Sequence, residues 1–404
     1  MRHFAYFLAA VTAHSVISTP DSFAADWTQF RGANGSAVSP ETNLPAGFSD
    51  TSGLRWKATL PGRGVSSPVI VGGRVYVTCS NGAKDDRLHV VCLDAATGTQ
   101  LWQRQLSATG NTACHPKTCM AAPTPVADET GVYALFATGD VAAYDRDGTL
   151  RWYRSLVGDY PTLSNQVGMA ASPILHSGKL IVPMDNTGDS FLAAIDTKTG
   201  KNLWKVERPR DVNWISPLLR TVNGKTEVIF PGTRTLVAYD VETGAKRWSS
   251  PNPTNGIPTP TLVGDLLLLP SRGVVALNLK GDKPEQTWTS QKLGSGMSSP
   301  LVYDGRVYAC NPRGDRRVRE RADRKDSLGG AREGAVLRFA DRGRWEDLCH
   351  QRDGRPDDVE GRRHVRDSRG EQDRRGGSGD AGRLEWGALP ARREDAVLRG
   401  SEVI

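Results

Sequence analysis

One short stretch recurs along this chain and restricts what it can fold into. D-T-K-T-G-K-N-L-W-K stands at residues 196–205, and close copies end in Trp102 and Trp248. Looser versions end in Trp152 and Trp288. In the close copies an alternating apolar run, such as F-L-A-A-I-D or T-L-V-A-Y-D, precedes an aspartate, the pattern of a half-buried strand. The aspartate can accept hydrogen bonds from backbone N–H groups just ahead of it, and the glycine supplies the positive φ that ends a tight turn. The sequence therefore predicts hairpin turns at Asp94–Gly98, Asp196–Gly200 and Asp240–Gly244, each followed by a strand that carries the tryptophan.

A second recurrent signal stands upstream of the hairpins. Ser67-Pro68, Thr124-Pro125, Ser172-Pro173, Ser216-Pro217, Thr259-Pro260 and Ser299-Pro300 each precede a short apolar strand, a glycine-containing turn and another strand. The unit is thus four strands in roughly 40–50 residues, the period of a β-propeller blade. A single four-stranded sheet cannot cover both of its faces, whereas sheets stacked radially cover each other. Trp102, Trp152, Trp204, Trp248 and Trp288 then read as wedges between blades, each with a large apolar area and one N–H that needs a partner. The competing reading, a surface for stacking ligands, needs exposed rings.

Ala-x-Asp-x-x-Thr-Gly-x-x-x-Trp, at Ala194–Trp204 and Ala238–Trp248, resembles the tryptophan-docking motif of pyrroloquinoline quinone (PQQ)-type propellers. Cys92–Trp102 matches it apart from the first position. D-W-T-Q-F-R-G, at 26–32, is similar to the entry segment of exported propellers of this group, and L-R-W-K-A-T-L resembles an outermost strand without its blade. The resemblance implies an all-β propeller over residues 25–314, with that strand completing the last blade. It implies two kinds of function, because the family holds quinone-dependent dehydrogenases and a cofactor-free branch that includes a propeller lipoprotein of the β-barrel assembly machinery.

The dehydrogenase reading requires oxygen ligands for calcium, a catalytic carboxylate, and a flat quinone held between aromatic and disulfide faces. The family's enzymes use two adjacent cysteines, and no Cys-Cys pair occurs here, nor a Cys-x-x-Cys-His for haem. The aspartates fall mainly in the repeat turns, and His89, His115 and His176 have no metal-ligand spacing. The expectation is no catalytic residue, no cofactor and no metal. The protein reads as a binding scaffold for other envelope proteins or a small ligand, with a PQQ- and calcium-dependent dehydrogenase as the alternative. The polar stretches A-C-H-P-K-T-C and G-D-Y-P-T-L-S-N-Q are candidates for lining one face of the central channel.

The first 24 residues read as an export signal: a short basic start, the apolar run F-A-Y-F-L-A-A-V-T-A, and small residues before a cleavage point after Ala24. The run is too short to span a bilayer, no later segment is apolar enough to do so, and no lipid-anchor cysteine follows the cleavage point. The expected location is the periplasm or outside the cell, where disulfides are permitted. Cys114 and Cys119 could close a small loop over His115 and Pro116, two free thiols being the alternative. Cys79 and Cys92 read as small core residues.

The chain changes character after Gly314. Residues 315–404 hold 21 Arg and one Lys against 20 Asp or Glu, a net charge of only +2. A nucleic-acid arm needs a cationic excess, so that partner is excluded; a disordered polyampholyte tail is the plainer reading. A third reading is out-of-frame translation of further blades. Shifted forward by one nucleotide, codons for G-R-W-E-D-L-C-H-Q-R-D-G (343–354) can read Ala-Asp-Gly-Lys-Ile-Tyr-Val-Thr-Asn-Glu-Thr-Gly, a strand, turn and strand. Trp345 fixes its codon and, with Glu346, forces the glycine of that turn. The same shift from Arg321 can give Arg-Thr-Gly-Lys-Thr-Leu-Trp, a docking hairpin, followed by Ser-Ala-Ser-Pro-Ile, a blade start. Extended to the end of the chain, the shift gives two blade starts in all after the sixth, so the unshifted parent would have eight blades. The present chain would then hold five blades and the first half of a sixth, with unpaired edges that favour aggregation. Sequencing the gene around codon 314 is expected to show codons that permit these readings; codons that exclude them end the frameshift idea.

Overall fold

The computed structural model describes residues 25–32, 34–41, 44, 53–164, 168–251, 253–281, 283–293, 296–310, 316–321 and 395–399. The export signal and most of the Arg-rich tail lie outside the described residues. Five four-stranded antiparallel sheets follow one another, at 69–107, 126–155, 174–207, 218–250 and 261–290, each with its strands in chain order. They are the blades of an all-β propeller. The first comprises Val69–Val71, Arg74–Asn81, Arg87–Asp94 and Gln100–Ser107, innermost to outermost. The two central strands carry most of the core and are buried along nearly their whole length, as a strand sandwiched between neighbouring sheets must be.

A sixth sheet pairs Leu301–Tyr303, Arg306–Cys310 and Arg316–Arg321. Leu54–Thr59, the strand expected to complete a last blade, pairs antiparallel with Asp395–Arg399. Both tail strands sit where an exposed sheet edge offers unpaired N–H and C=O groups. Backbone pairing recruits an extended segment whatever its side chains are.

Two rings of contacts fix the blades against each other. The outer ring uses the tryptophans. Trp102 Nε1 donates to Arg146 O at 2.7 Å, Trp152 Nε1 to Thr197 O at 2.8 Å, and Trp204 Nε1 to Val241 O at 3.0 Å. Every acceptor lies in the Asp-to-Gly turn of the following blade. Trp56, on the strand that precedes the first blade, does the same to Ala95 O at 2.9 Å. The turns themselves are held by their aspartates: Asp196 Oδ1 accepts from Lys198 N, Thr199 N and Thr199 Oγ1, and Asp94 and Asp240 do likewise. The indole lies flat on the turn glycine. A Cβ at Gly200 would stand 2.8 Å from the Trp152 ring and one at Gly244 2.8 Å from Trp204, and both residues have φ near +70°.

Across its own sheet each of these tryptophans faces a small residue. Trp102 pairs with Cys92, Trp152 with Ala143, Trp204 with Ala194, Trp248 with Ala238 and Trp288 with Ala276. In every case a bulge follows, with the residue before the tryptophan as the extra one. The bulge bends the outer strand, and the small partner leaves room for the indole to tilt toward the next blade. Cys92 departs from the motif's alanine at no structural cost, because size is what the position requires.

Trp248 and Trp288 do not share the docking contact. The fifth blade's turn reads N-L-K-G-D, without the aspartate and threonine that shape the others, and Trp248 Nε1 turns back to Glu227 Oε2 in its own blade. The junction is carried instead by Arg220, buried with Glu227, whose Nη2 reaches Asp265 Oδ1 and Leu279 O in the fifth blade. Trp288 packs with Leu268, Val274, Leu293 and Val307, against the sixth sheet.

The inner ring is a belt of hydroxyls. Ser67 N donates to Thr124 Oγ1, Thr124 N to Ser172 Oγ, Ser172 N to Ser216 Oγ, Ser216 N to Thr259 Oγ1 and Thr259 N to Ser299 Oγ, at 2.9–3.2 Å. The Ser/Thr-Pro pair is thus a blade-to-blade clasp as well as a strand start. Proline is tolerated beside it because the innermost strand is a sheet edge facing the axis.

Cys114 and Cys119 are free, so the disulfide that their spacing permits is not formed; Cys114 Sγ contacts Thr118 O at 3.7 Å. Cys79 and Cys92 are fully buried in the first blade. His89, in the same blade, is 2 % exposed, with Nε2 3.0 Å from Asn81 Oδ1 and Nδ1 3.3 Å from Gln103 Nε2. These partners suit the neutral ring, with Nε2–H donating and Nδ1 accepting.

Two outcomes are expected. Trp204→Ala removes both the wedge and its turn contact and is expected to cost about 3–5 kcal/mol, read by denaturant unfolding; an unchanged midpoint would remove the docking role. Burial lowers the pKa of His89, and the charge of Arg87 acts in the same direction. Its contribution is therefore present above the unfolded value of 6.5 and is lost as pH falls below it. Between pH 7.5 and 5.5 the wild type should lose more stability than His89→Gln; parallel curves for the two would show that His89 is not the titrating group.

Candidate functional site

The axis of the propeller is where innermost strands converge, and the chain's own N-terminal segment lies along it. Asp26 Oδ1 accepts from Gly72 N, in the turn after the innermost strand of the first blade. Trp27 and Ile70 exchange both backbone hydrogen bonds, at 2.8 and 2.9 Å, as neighbouring strands do. Thr28 O accepts from Ala127 N on the innermost strand of the second blade at 2.9 Å. The chain then folds back: Gly32 N donates to Gln29 O, and Gly32, at φ +77°, sits against the Trp27 ring so closely that a Cβ would be 3.0 Å away. Gly35 comes to rest beside Leu218, at the start of the innermost strand of the fourth blade.

Arg31 completes this segment. Its Nη2 donates to Thr261 Oγ1 at 2.7 Å and to Pro300 O at 2.8 Å, in the fifth blade and the sixth repeat unit, and its Nε to Gly35 O at 3.0 Å. Arg31 is 8 % exposed, and all three acceptors are neutral oxygens. Burial without a described carboxylate beside it lowers its pKa to about 10. Arg208 shows the contrast. It is equally buried, yet Asp185 grips it through both oxygens at 2.7 and 2.9 Å, and Phe230 lies 3.9 Å beneath it. Burial alone would lower the Arg208 pKa; the charge and hydrogen bonds of Asp185, with those of Tyr239, more than offset this and raise it.

The two polar stretches picked from the sequence both connect an outermost strand to the next innermost one, so they lie on the face opposite the aspartate turns. His115 is exposed there and accepts from Lys117 N, while Arg63 Nη1 binds the carbonyls of Pro116 and Thr118. Asn165 and Gln166 of the second stretch lie outside the described residues. Two buried carboxylates on this face are engaged. Asp140 is ringed by Thr109, Thr138 and Tyr153, and Asp185 by Arg208 and Asn213.

A calcium-bound quinone needs clustered oxygen ligands and a flat slot. Among the described residues no group of three or more His, Cys, Asp or Glu is placed to hold a metal ion. Cys79, Cys92, Cys114 and Cys119 are free, and Asp26–Gly32 lies against the innermost strands at the axis. Sequence reading missed this arrangement, although D-W-T-Q-F-R-G was visible as a segment resembling the entry of exported propellers; what it touches is decided by residues up to 269 positions away.

Comparisons with known proteins agree on architecture. The family model described as outer membrane protein assembly factor BamB matches residues 41–182 and 161–309. A polyvinylalcohol dehydrogenase of Pseudomonas sp. is 25 % identical over 276 residues, covering 57 % of this chain and 40 % of the relative. The outer membrane protein assembly factor BamB of Alkalilimnicola ehrlichii is 29 % identical over 158 residues, covering 39 % of this chain and 36 % of the relative. This chain therefore spans less than half the length of either. Among solved structures, the quinohemoprotein alcohol dehydrogenase ADHIIG of Pseudomonas putida HK5 superposes with a TM-score of 0.51 at 16 % identity, covering 69 % of this chain and 51 % of that one, a likeness of fold. With the family model spanning most of the blades and its tryptophan repeats visible in each, the chain belongs to the PQQ-like propeller family described as outer membrane protein assembly factor BamB.

Proposed function

We propose that this protein is an exported, non-catalytic β-propeller that serves as a protein- or ligand-binding scaffold in the periplasm or cell envelope. The observation that carries the reading is the occupied axis: Trp27, Thr28 and Arg31 hold the chain's own segment against the innermost strands of the first, second and fifth blades. A catalytic carboxylate needs a lone pair free to meet substrate, and the buried Asp140 and Asp185 are committed to protein donors. The relatives named outer membrane protein assembly factors support envelope partners. Export by residues 1–24, with cleavage after Ala24, would bring the protein there. No described helix is long and apolar enough to cross a membrane.

The similarity to polyvinylalcohol dehydrogenase favours a second reading, a PQQ-dependent quinoprotein oxidising alcohols or sugars. Incubation of the purified protein with PQQ and calcium separates the two. The scaffold reading expects no quinone absorbance retained after desalting, no reduction of an artificial dye with alcohols or sugars, and no stoichiometric calcium by elemental analysis. Retained quinone together with dye reduction would replace it by the enzyme reading.

A further inference from the structure

The segment at the axis is bound much as a partner peptide would be. We propose that the propeller bore is a peptide-recognition channel, that Asp26–Ser36 fills it in cis as a displaceable plug, and that the partner which replaces the plug is an extended protein segment carrying the same Trp-x-x-x-Arg spacing. The inference rests on the protein-binding form of the scaffold reading.

Three features of the geometry support it. First, the backbone contact is strand addition. The reciprocal Trp27–Ile70 hydrogen bonds and the Thr28–Ala127 bond use main-chain groups that any extended peptide possesses. The innermost strand of each blade is a sheet edge, with backbone groups that need a partner. Second, two side chains four residues apart supply selectivity. Trp27 packs beside Ile70 and Val75 of the first blade, while Arg31 reaches across to Thr261 and Pro300. One short segment thus reads both ends of the series of blades.

Third, the plug is not held as well as a permanent element would be. Among the described residues Arg31 meets only neutral oxygens, whereas Arg208, at similar burial, has Asp185. A buried cation without a counter-charge carries an uncompensated desolvation cost. Arg31 also adopts φ +64° and Ala37 φ +59°, left-handed conformations that cost a residue with a Cβ free energy in the bound form. A partner segment that avoids either cost would displace the plug, which makes Asp26–Ser36 an autoinhibitory contact rather than a fixed axle.

The test uses a fluorescein-labelled peptide of residues 25–37, fluorescence anisotropy, and two forms of the full chain. The double variant Trp27→Ala, Arg31→Gln, with its own plug weakened, is expected to bind the peptide at least about tenfold more tightly than the wild type. A control peptide bearing the same two substitutions should not bind. Equal binding by both proteins, or none by a variant that still unfolds cooperatively, overturns the proposal. Should the double variant fail to fold, a protease site inserted between Glu41 and Gly53 of the wild type gives the second measurement. After cleavage and incubation with labelled peptide, gel filtration is expected to show the label on the protein and the cut segment released. A cut segment that stays while the label elutes alone shows a fixed axle and overturns the plug. The quinone assay reads independently: quinone binding would remove the scaffold reading without changing either peptide result.

Discussion

The hydrogen bond from an outer-strand indole to a turn carbonyl of the next blade is the contact on which this architecture depends. It demands several things at once. The turn must present its carbonyl outward, so the aspartate pins the backbone from inside; the residue beneath the indole must be glycine; and the residue across the sheet must be small. Trp152 on Gly200 and Trp204 on Gly244 satisfy all three. The hydroxyl belt from Ser67 to Ser299 makes the corresponding link at the inner rim. A sheet fastened to its neighbour at both radii has its angle fixed, and its two faces are then buried by the sheets beside it.

The junction between the fourth and fifth blades shows what happens when one requirement fails. Without the shaped turn there is no carbonyl for Trp248, so its N–H goes to Glu227, and a buried arginine links the blades in its place. The replacement is chemically different. An indole dock is mainly apolar contact with one hydrogen bond, whereas Arg220 must be matched by Glu227, Asp265 and the Leu279 carbonyl to offset its desolvation, and its Nε still has no partner. In a buried ion pair of this kind the cost of desolvation offsets much of the Coulombic gain.

Fold and function separate at the axis. The blades are shared with dehydrogenases and with assembly factors, so the repeat itself cannot choose between them. At the centre of this chain lies a short N-terminal segment tied to strands from opposite ends of the sequence.

The repeat made the propeller legible in the sequence, because docking is encoded locally. Asp196, Gly200 and Trp204 lie within one hairpin, and their spacing alone specifies turn, bulge and wedge. Cys92 in place of alanine was readable too, once size was seen to be the requirement. Three features were settled only in three dimensions. Trp56 became a dock because the strand before the first blade lies against that blade's turn. The Ser/Thr-Pro pairs were visible as strand starts, but the bond from each N–H to the next hydroxyl joins residues about 40 to 57 positions apart and leaves no mark on either pair alone. Arg31 gave no signal at all, since its partners Thr261 and Pro300 are 230 and 269 positions away. Local hydrogen bonding fixes a hairpin through neighbours in the chain; a segment lying on the axis is specified by the simultaneous arrival of distant strands, which only the packing of blade on blade brings about.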